Sequence, residues 1–331
     1  MSLHITETDW NGTPALIVET EALRMLIVPG VGAKIRSLMD KQTGHEYLWA
    51  NPQPPAGRPA YGAPYSDCDL SGWDECFPSI SEVYYPQQPW KGILVPDHGE
   101  VWALPWSWER QGDALRLWAN GVRFPYRFER RMDFAQPDRV VVTYTVRNFA
   151  PFDFGCLWSM HPTFNVTPAT RVLLPPRARV RVELSAGERL GPFLSEHDWP
   201  MTVDRAGRSV DLSVMGPTDQ QFGEKLYTTP VSEGWAAFTD SDTQQYLAFT
   251  FSPEEVPYVG VCMNRGAWAT CGQPYFALML EPCNGWPDAL DTALTRGRAI
   301  SVPAQGQRSW TVTLHIGRGD ARLAGIIHPT M

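Results

Sequence analysis

Two segments of the chain alternate strictly between apolar and polar residues, which is the pattern of strands with one buried face. They are "RSWTVTLHIG" at 308–317 and "VVVTYTVRN" at 140–148. The inward positions are Trp310, Val312, Leu314 and Ile316 in the first and Val142, Tyr144 and Val146 in the second. Each segment predicts a strand of an antiparallel sheet whose other face is polar.

A third alternating segment, "RARVRVEL" at 177–184, carries a stripe of arginines. Its pattern places Ala178, Val180, Val182 and Leu184 inward and Arg177, Arg179 and Arg181 outward. The stripe is compatible with an anion site, but exposed faces of antiparallel sheets are normally polar, so a solvent-facing sheet surface is the favoured interpretation.

Helical patterns are scarce, and the one short helix expected is "PDALDTALTRG" at 287–297, which Gly297 would end. Thirty prolines and 27 glycines divide the chain into many short strands, which predicts an all-β sandwich or barrel. The Pro/Gly-rich segment 51–67 runs directly into the aromatic stretch "CDLSGWDECFPSI", so we interpret it as a long loop inside a single domain, 1–331, with 318–331 as a C-terminal tail.

Composition limits the classes of partner. Hydrophobic residues make up 43% and charged residues 19%, as in a soluble globular protein, and a net charge of -8 disfavours nucleic acid. A small neutral ligand fits better. The N-terminus has no signal-peptide pattern and no segment is long and apolar enough to span a membrane, so we expect a cytoplasmic protein. Six cysteines without a C-x-x-C pair predict reduced thiols rather than a zinc knuckle or disulfide scaffold.

Fourteen tryptophans are many for this length, and several lie in polar, loop-like contexts. These are Trp73, Trp90, Trp102, Trp106, Trp158 and Trp286. An indole ring packs against the C–H face of a sugar while neighbouring polar groups bind its hydroxyls, so the pattern suits a carbohydrate ligand. Tryptophan is also an ordinary core residue of a large sandwich, and that interpretation stays open.

Three ionisable residues stand out by position. His161 in "LWSMHPTFN" and Glu281 in "FALMLEP" each follow an apolar run and precede a proline, so we expect both where a strand becomes a loop, a common place for catalytic groups. His98 lies between two acids in "PDHGEVW". Each has a simpler interpretation as a hydrogen-bonded packing residue. A metal site of Asp97, His98 and Glu100 is disfavoured because no second spaced cluster of His or Cys completes it.

Five phrases together resemble the aldose 1-epimerase, or galactose mutarotase-like, family. They are "GWDECFPSI", "PDHGEVW", "HPTFN", "LMLEPCNGWPDALDTA" and "VPAQGQRSWTVTLHIG", and the segment "LIVPGVGAKIRSLMDKQTGHEYLWANP" at 26–52 resembles the family's N-terminal strands. The resemblance covers about residues 15–317. It implies a large antiparallel β-sandwich that binds a sugar in a cleft on one face.

The resemblance also implies roles for the three residues. His161 matches the family's general acid, Glu281 its general base and His98 its second active-site histidine. The implied activity is aldose 1-epimerase, which interconverts the α and β anomers of an aldose without a metal or other cofactor. Opening the ring requires a base at the anomeric hydroxyl and an acid at the ring oxygen.

The chain departs from the family where an arginine phrase usually precedes the first histidine and "SGWDECFPSI" stands instead. We expect Asp74 and Glu75 to accept hydrogen bonds from sugar hydroxyls, with Trp73 and Trp102 against the ring. Two carboxylates would repel a phosphate, although the phrase is closer to the hexose-6-phosphate epimerase-like branch. Three alternatives remain: that phosphosugar activity, a non-catalytic carbohydrate-binding protein, and a metal-dependent sugar enzyme using His98 and Glu100. The sequence does not fix the oligomeric state.

Overall fold

The computed structural model describes residues 3–55, 57–218 and 221–327, and these residues form 25 strands and two α-helices. The strands, in chain order, are β1 (His4–Trp10), β2 (Thr13–Glu19), β3 (Leu23–Val28), β4 (Lys34–Asp40), β5 (Gly72–Cys76), β6 (Val83–Tyr84), β7 (Leu94–Val95), β8 (Ser107–Gln111), β9 (Ala114–Asn120), β10 (Tyr126–Gln136), β11 (Arg139–Asn148), β12 (Phe154–Cys156), β13 (Ser159–Phe164), β14 (Thr170–Leu173), β15 (Arg179–Ser185), β16 (Glu196–Asp198), β17 (Met201–Val203), β18 (Ser209–Asp211), β19 (Gly223–Thr228), β20 (Trp235–Asp240), β21 (Gln245–Phe251), β22 (Tyr258–Thr270), β23 (Gln273–Cys283), β24 (Ile300–Val302) and β25 (Gln307–Arg318).

Two antiparallel sheets contain most of these strands. The larger has eleven strands in the order β1-β2-β3-β4-β5-β13-β23-β22-β19-β15-β16, and the smaller has eight in the order β14-β20-β21-β25-β11-β10-β9-β8. Buried side chains from both sheets, such as Ile35 and Leu280 from the larger and Val142 and Leu314 from the smaller, form one hydrophobic core. The molecule is therefore an all-β antiparallel sandwich, which confirms the expected fold class.

The structure confirms the strands predicted from the alternating segments, and one residue differs from its predicted inward position. Trp310, Val312 and Val142 are buried at their predicted inward positions. Leu184 was expected inward and is 53% exposed, because the pairing of β15 with β19 shifts between Val182 and Leu184. A bulge of this kind moves the following side chains to the opposite face.

Both prolines were expected to end their strands, and that expectation is wrong. β13 continues through Pro162 to Phe164, and β23 continues through Pro282 to Cys283. The pairing of β13 with β23 is interrupted between Ser159↔Cys283 and Thr163↔Met279, so this stretch lacks regular ladder pairs. A proline, which has no N–H to donate, is accommodated at such an interruption.

The helices lie outside the two sheets. The predicted helix within 287–297 is α1 (Leu290–Thr295). A second, α2 (Asp320–Ile327), lies within the segment expected to be a tail, and its Leu323 packs against Trp235 and Tyr246 of the smaller sheet. Residues 328–331 of that segment lie outside the described residues. No helix in the described part of the chain combines the length and apolar character needed to cross a membrane.

Candidate active site

The centre of the larger sheet holds the candidate site, because β5, β13 and β23 are neighbours there. Alternation along each strand turns Asp74, His161 and Glu281 to the outer face of the sheet, away from the sandwich core. Asp74 lies opposite His161 in the register of β5 and β13. His161 Nε2 lies 3.7 Å from Glu281 Oε1, and both side chains are almost completely buried. The fold therefore brings together two residues that are 120 positions apart in the chain.

His98 reaches the same place from the loop that follows β7. Its ring centroid lies 5.1 Å from that of His161, and its Nδ1 lies 2.8 Å from Asp97 Oδ1. The backbone of His98 has φ 58, and its N–H donates to the carbonyl oxygen of Ile80 at 2.6 Å. All three residues proposed as catalytic from the sequence thus meet in one place.

Tyr65 covers this cluster and was missed by the sequence reasoning. It lies in a short 3-10 turn, Tyr65–Asp67, at the end of the Pro/Gly-rich loop. Its ring stacks on His98 with centroids 3.9 Å apart, and its hydroxyl donates to Asp74 Oδ2 at 2.8 Å and lies 3.3 Å from His161 Nδ1. The only sequence feature that could have indicated Tyr65 was its position as an aromatic residue in the loop before "GWDE". Through Tyr65, which is buried, the end of this loop packs onto the sheet.

Hydrogen bonding fixes the orientation of both imidazoles. Because the Tyr65 hydroxyl donates to Asp74, its lone pair accepts the Nδ1–H of His161. Asp97 likewise accepts the Nδ1–H of His98. Each neutral histidine then carries its lone pair on Nε2. The lone pair of His161 consequently faces a carboxylate oxygen of Glu281, an arrangement of two acceptors that calls for a proton, a hydroxyl group or a cation between them.

Two lysines on the same face were also missed. Lys34 Nζ lies 2.8 Å from Asp74 Oδ2. Lys225 Nζ lies 2.9 Å from Asp288 Oδ2 and 3.7 Å from Glu281 Oε2. Both positive charges are thereby paired with carboxylates inside the site. Lys34 lies in the family-like segment 26–52, but the resemblance gave it no role, and Lys225 lies in none of the family-like phrases.

Alternation along β5 separates the residues expected to bind the sugar. Asp74 is in the site, whereas Trp73 and Glu75 point to the opposite face, into the core between the sheets. Glu75 accepts hydrogen bonds there from Arg130 (3.1 Å), Tyr144 (2.8 Å) and Trp158 (2.9 Å). The structure therefore does not bring Trp73 or Glu75 to the candidate site, since only alternate residues of a strand can share one face.

Trp102 lies beside the site but is only 1% exposed. Its Nε1–H donates to the carbonyl oxygen of Asp97 at 3.0 Å, and its ring meets Tyr65 edge-on at 4.8 Å between centroids. In this position it supports the Asp97 loop and Tyr65. Its ring has no open face on which a sugar could stack in this arrangement.

Burial shifts the pKa values of the central pair in opposite directions. It raises the pKa of Glu281, against the opposing effect of Lys225, and lowers the pKa of His161 well below its usual range, an effect strengthened by His98. Burial also raises the pKa of the Cys76 thiol. Both shifts of the pair disfavour the charged form of each residue.

The metal site considered from sequence spacing is not assembled. Glu100 turns away from His98 and accepts hydrogen bonds from Tyr61 and Tyr126, at 2.6 and 2.8 Å. A different set of potential ligands is present instead. One donor atom each from Cys76, His98 and His161 lies within 4.8 Å of the others.

Comparisons with known proteins agree with the fold. No family model matches the chain, and no curated protein matches it. Several solved structures match the chain. A galactose mutarotase-like protein from Clostridium acetobutylicum matches with a TM-score of 0.67 at 13% identity, covering 96% of this chain and 99% of that one. A galactose mutarotase-like protein from Lactobacillus casei gives 0.66 at 16% identity, covering 92% and 100%. A galactose mutarotase related enzyme from Lactobacillus acidophilus gives 0.63 at 13%, covering 96% and 99%. The chain has the galactose mutarotase-like fold.

Proposed function

We propose that this protein is an aldose 1-epimerase that acts on a free aldose. The observation that carries the proposal is the pairing of His161 Nε2 and Glu281 Oε1 at 3.7 Å on the outer face of a galactose mutarotase-like sandwich. A pair at this separation that holds one proton can accept a proton from one oxygen of a sugar and donate a proton to a neighbouring oxygen, which is what anomerisation requires.

These groups account for each proton transferred and each bond broken or formed in the reaction. The anomeric hydroxyl gives its proton to one member of the pair, the C1–O1 bond becomes a carbonyl, and the C1–O5 bond breaks. The ring oxygen takes the proton that the other member supplies. Rotation about C1–C2 and the reverse sequence close the ring as the other anomer, and the pair returns to its starting protonation. His98 Nε2 is placed to accept a hydrogen bond from a neighbouring hydroxyl.

Asp74 supplies a binding contact. Its Oδ2 is used by Tyr65 and Lys34, whereas its buried Oδ1 has no hydrogen-bond partner among the described residues. A sugar hydroxyl would satisfy that oxygen. Because Tyr65 occupies the space next to His98, sugar binding displaces Tyr65 and the loop that carries it.

A free aldose suits the charges better than a sugar phosphate. Lys34 and Lys225, the two lysines next to the pair, are already neutralised by Asp74, Asp288 and Glu281. A phosphate placed there would have to compete with these carboxylates. A hexose 6-phosphate remains the second substrate class for the test.

The test is an anomerisation screen by polarimetry and NMR exchange with D-galactose, D-glucose and their 6-phosphates. Glu281→Gln and His161→Asn should each lower the rate with a free aldose by at least about 10², the lower limit for a positioned acid or base. His315→Gln changes a histidine of the other sheet and should leave the rate unchanged. Near wild-type turnover in either site variant would contradict the proposal, and wild-type protein that binds but does not anomerise any of these sugars would favour a carbohydrate-binding protein.

A further inference from the structure

Cys76, His98 and His161 reach one point from three separate parts of the fold. Cys76 ends β5, His98 lies in the loop after β7, and His161 lies in β13. One donor atom from each lies within 4.8 Å of the others. A thiol and two imidazoles are the side chains that zinc-class ions prefer. This cluster is distinct from the set expected from sequence spacing.

Both imidazoles are oriented for metal binding. The Nδ1–H of His98 donates to the Asp97 carboxylate at 2.8 Å, which is the usual outer-shell partner of a metal-bound histidine. The Nδ1–H of His161 donates to the Tyr65 hydroxyl, which is itself held by Asp74. Each Nε2 is therefore left as the atom with a lone pair. The hydrogen bonds also restrict rotation of both rings.

Glu281 lies beside this cluster but is not one of the three residues whose donor atoms all lie within 4.8 Å of one another. Its Oε1 lies 3.7 Å from His161 Nε2, and its side chain is fully buried. Its Oε2 lies 3.7 Å from Lys225 Nζ, and its Oε1 is buried without a close hydrogen-bond donor among the residues that the structure describes. A buried carboxylate in this state needs a further partner to offset its loss of hydration. A cation next to Oε1 would provide it.

We propose that this cluster is a binding site for a thiophilic divalent metal ion of the zinc class, held by Cys76 Sγ and the Nε2 atoms of His98 and His161, with the fourth position open to a non-protein ligand and the Glu281 carboxylate beside it. A tetrahedral site with bonds of about 2.0 to 2.3 Å separates its donor atoms by about 3.3 to 3.8 Å. The Cys76, His98 and His161 donors, within 4.8 Å, reach that geometry by closing in by about 1 Å. Thiolate and carboxylate together balance the charge of a divalent ion.

Occupation of this site has a consequence that rests on the proposed function. The ion takes the His161 Nε2 that would exchange protons with the sugar, and it lies beside the Glu281 carboxylate. The metal-bound protein should therefore not anomerise aldoses, and metal and sugar should compete. A thiolate ligand selects zinc or cobalt over magnesium and calcium, so the last two ions should not inhibit.

The binding test uses Co²⁺ as a spectroscopic probe on chelator-treated, full-length protein. We expect one equivalent to bind with thiolate-to-cobalt charge-transfer absorption in the near ultraviolet, and Zn²⁺ to displace it. Cys76→Ser should abolish that absorption, and Asp97→Asn should weaken affinity by about 10- to 100-fold, as for other outer-shell partners. Cys262→Ser, a buried cysteine on the same sheet face, and Cys271→Ser, an exposed one, are the matched controls and should retain it.

The outcomes separate the two proposals. Loss of the absorption in a folded Cys262→Ser or Cys271→Ser variant, its persistence in Cys76→Ser, or its absence from wild-type protein would overturn the metal site whatever the activity. If Cys76→Ser does not fold, His98→Gln should lower Co²⁺ affinity and shift the visible cobalt spectrum. Cobalt binding through Cys76 without anomerisation of any sugar would leave the metal site standing and remove the epimerase. If one equivalent of Zn²⁺ left the rate of anomerisation unchanged, the proposed competition between metal and sugar would be overturned.

Discussion

Glu75 and Arg130 form an ion pair between the two sheets with neither side chain exposed to solvent. Burial raises the pKa of Glu75 to about 7, and Arg130 acts against that rise. The Arg130 guanidinium also donates to the carbonyl oxygen of Ala33. The pair thus lies in the sandwich core, at the position next to the site residue Asp74. Its role is structural, although its neighbour in the chain belongs to the site.

Glu75→Gln should lower the free energy of unfolding by about 3 kcal/mol or more, because it leaves the Arg130 charge buried without a counter-ion. Urea unfolding at pH 8 measures it. Glu109→Gln, which breaks a partly exposed pair with Arg116, is the control and should cost less than about 1 kcal/mol. The KM of the folded Glu75→Gln protein should equal that of wild type. A stable variant with an altered KM would contradict this and show that Glu75 contributes to substrate binding.

At the scale of elements, single backbone positions decide where side chains point. The bulge in β15 exposes Leu184, and the interrupted pairing beside β13 allows Pro162 and Pro282 to lie inside strands. Apolar alternation predicted these strands, since it depends only on neighbouring residues. It could not predict the bulge or the interruption, because both are properties of pairing with strands distant in the chain.

The turn that holds His98 depends on Gly99. Gly99 has φ 76, and a Cβ there would lie 2.1 Å from the carbonyl oxygen of Phe77. Glu100 N–H donates to that same oxygen at 2.7 Å, so the two segments are held close together. Only glycine fits a left-handed backbone in such close approach to another segment.

Gly99→Ala should therefore displace the His98 loop and lower anomerisation by at least about 10², the effect expected when a positioned group is lost. Gly92→Ala is the control, because Gly92 also has positive φ, 87, but a Cβ there meets nothing within 4 Å. Both variants carry the cost of backbone strain, roughly 1 kcal/mol. Only Gly99→Ala adds the clash. Equal activities in the two folded variants, measured by NMR exchange, would show that the loop does not hold His98.

At the scale of the whole molecule, the site consists of residues from seven separated segments brought onto one face of a sheet. Family-like phrases indicated His98, His161 and Glu281, and the structure places them together. Tyr65, Lys34, Lys225 and Cys76 could not be found in the same way. Their proximity depends on long-range strand order and on the path of the 51–67 loop, which sequence patterns do not specify.

His315, on the outer face of the smaller sheet, should affect the stability of the whole protein independently of the candidate site. His315 of β25 lies 3.0 Å through its Nε2 from Thr250 Oγ1. Burial, with help from Arg139 on the neighbouring strand, lowers its pKa to about 4. Charged residues around the same surface cavity are Asp138, Arg139, Glu233 and Arg322. An unfolded histidine titrates near pH 6.5. Between about pH 6.5 and 4, His315 is therefore protonated in the unfolded chain but neutral in the folded protein.

Stability contributed by neutral His315 should therefore be fully present above pH of about 6.5 and decline as the pH falls toward 4. The decline should reach roughly 1 to 3 kcal/mol, because one pKa unit corresponds to about 1.4 kcal/mol and the side chain is only partly buried. His315→Gln keeps a polar partner for Thr250 and cannot titrate. Urea unfolding of both proteins at pH 7.5, 6, 5 and 4.5 measures the difference, in which titration of all other groups cancels. Wild type should lose stability relative to the variant on acidification; parallel curves, or a relative gain, would mean that His315 titrates alike in the folded and unfolded chain.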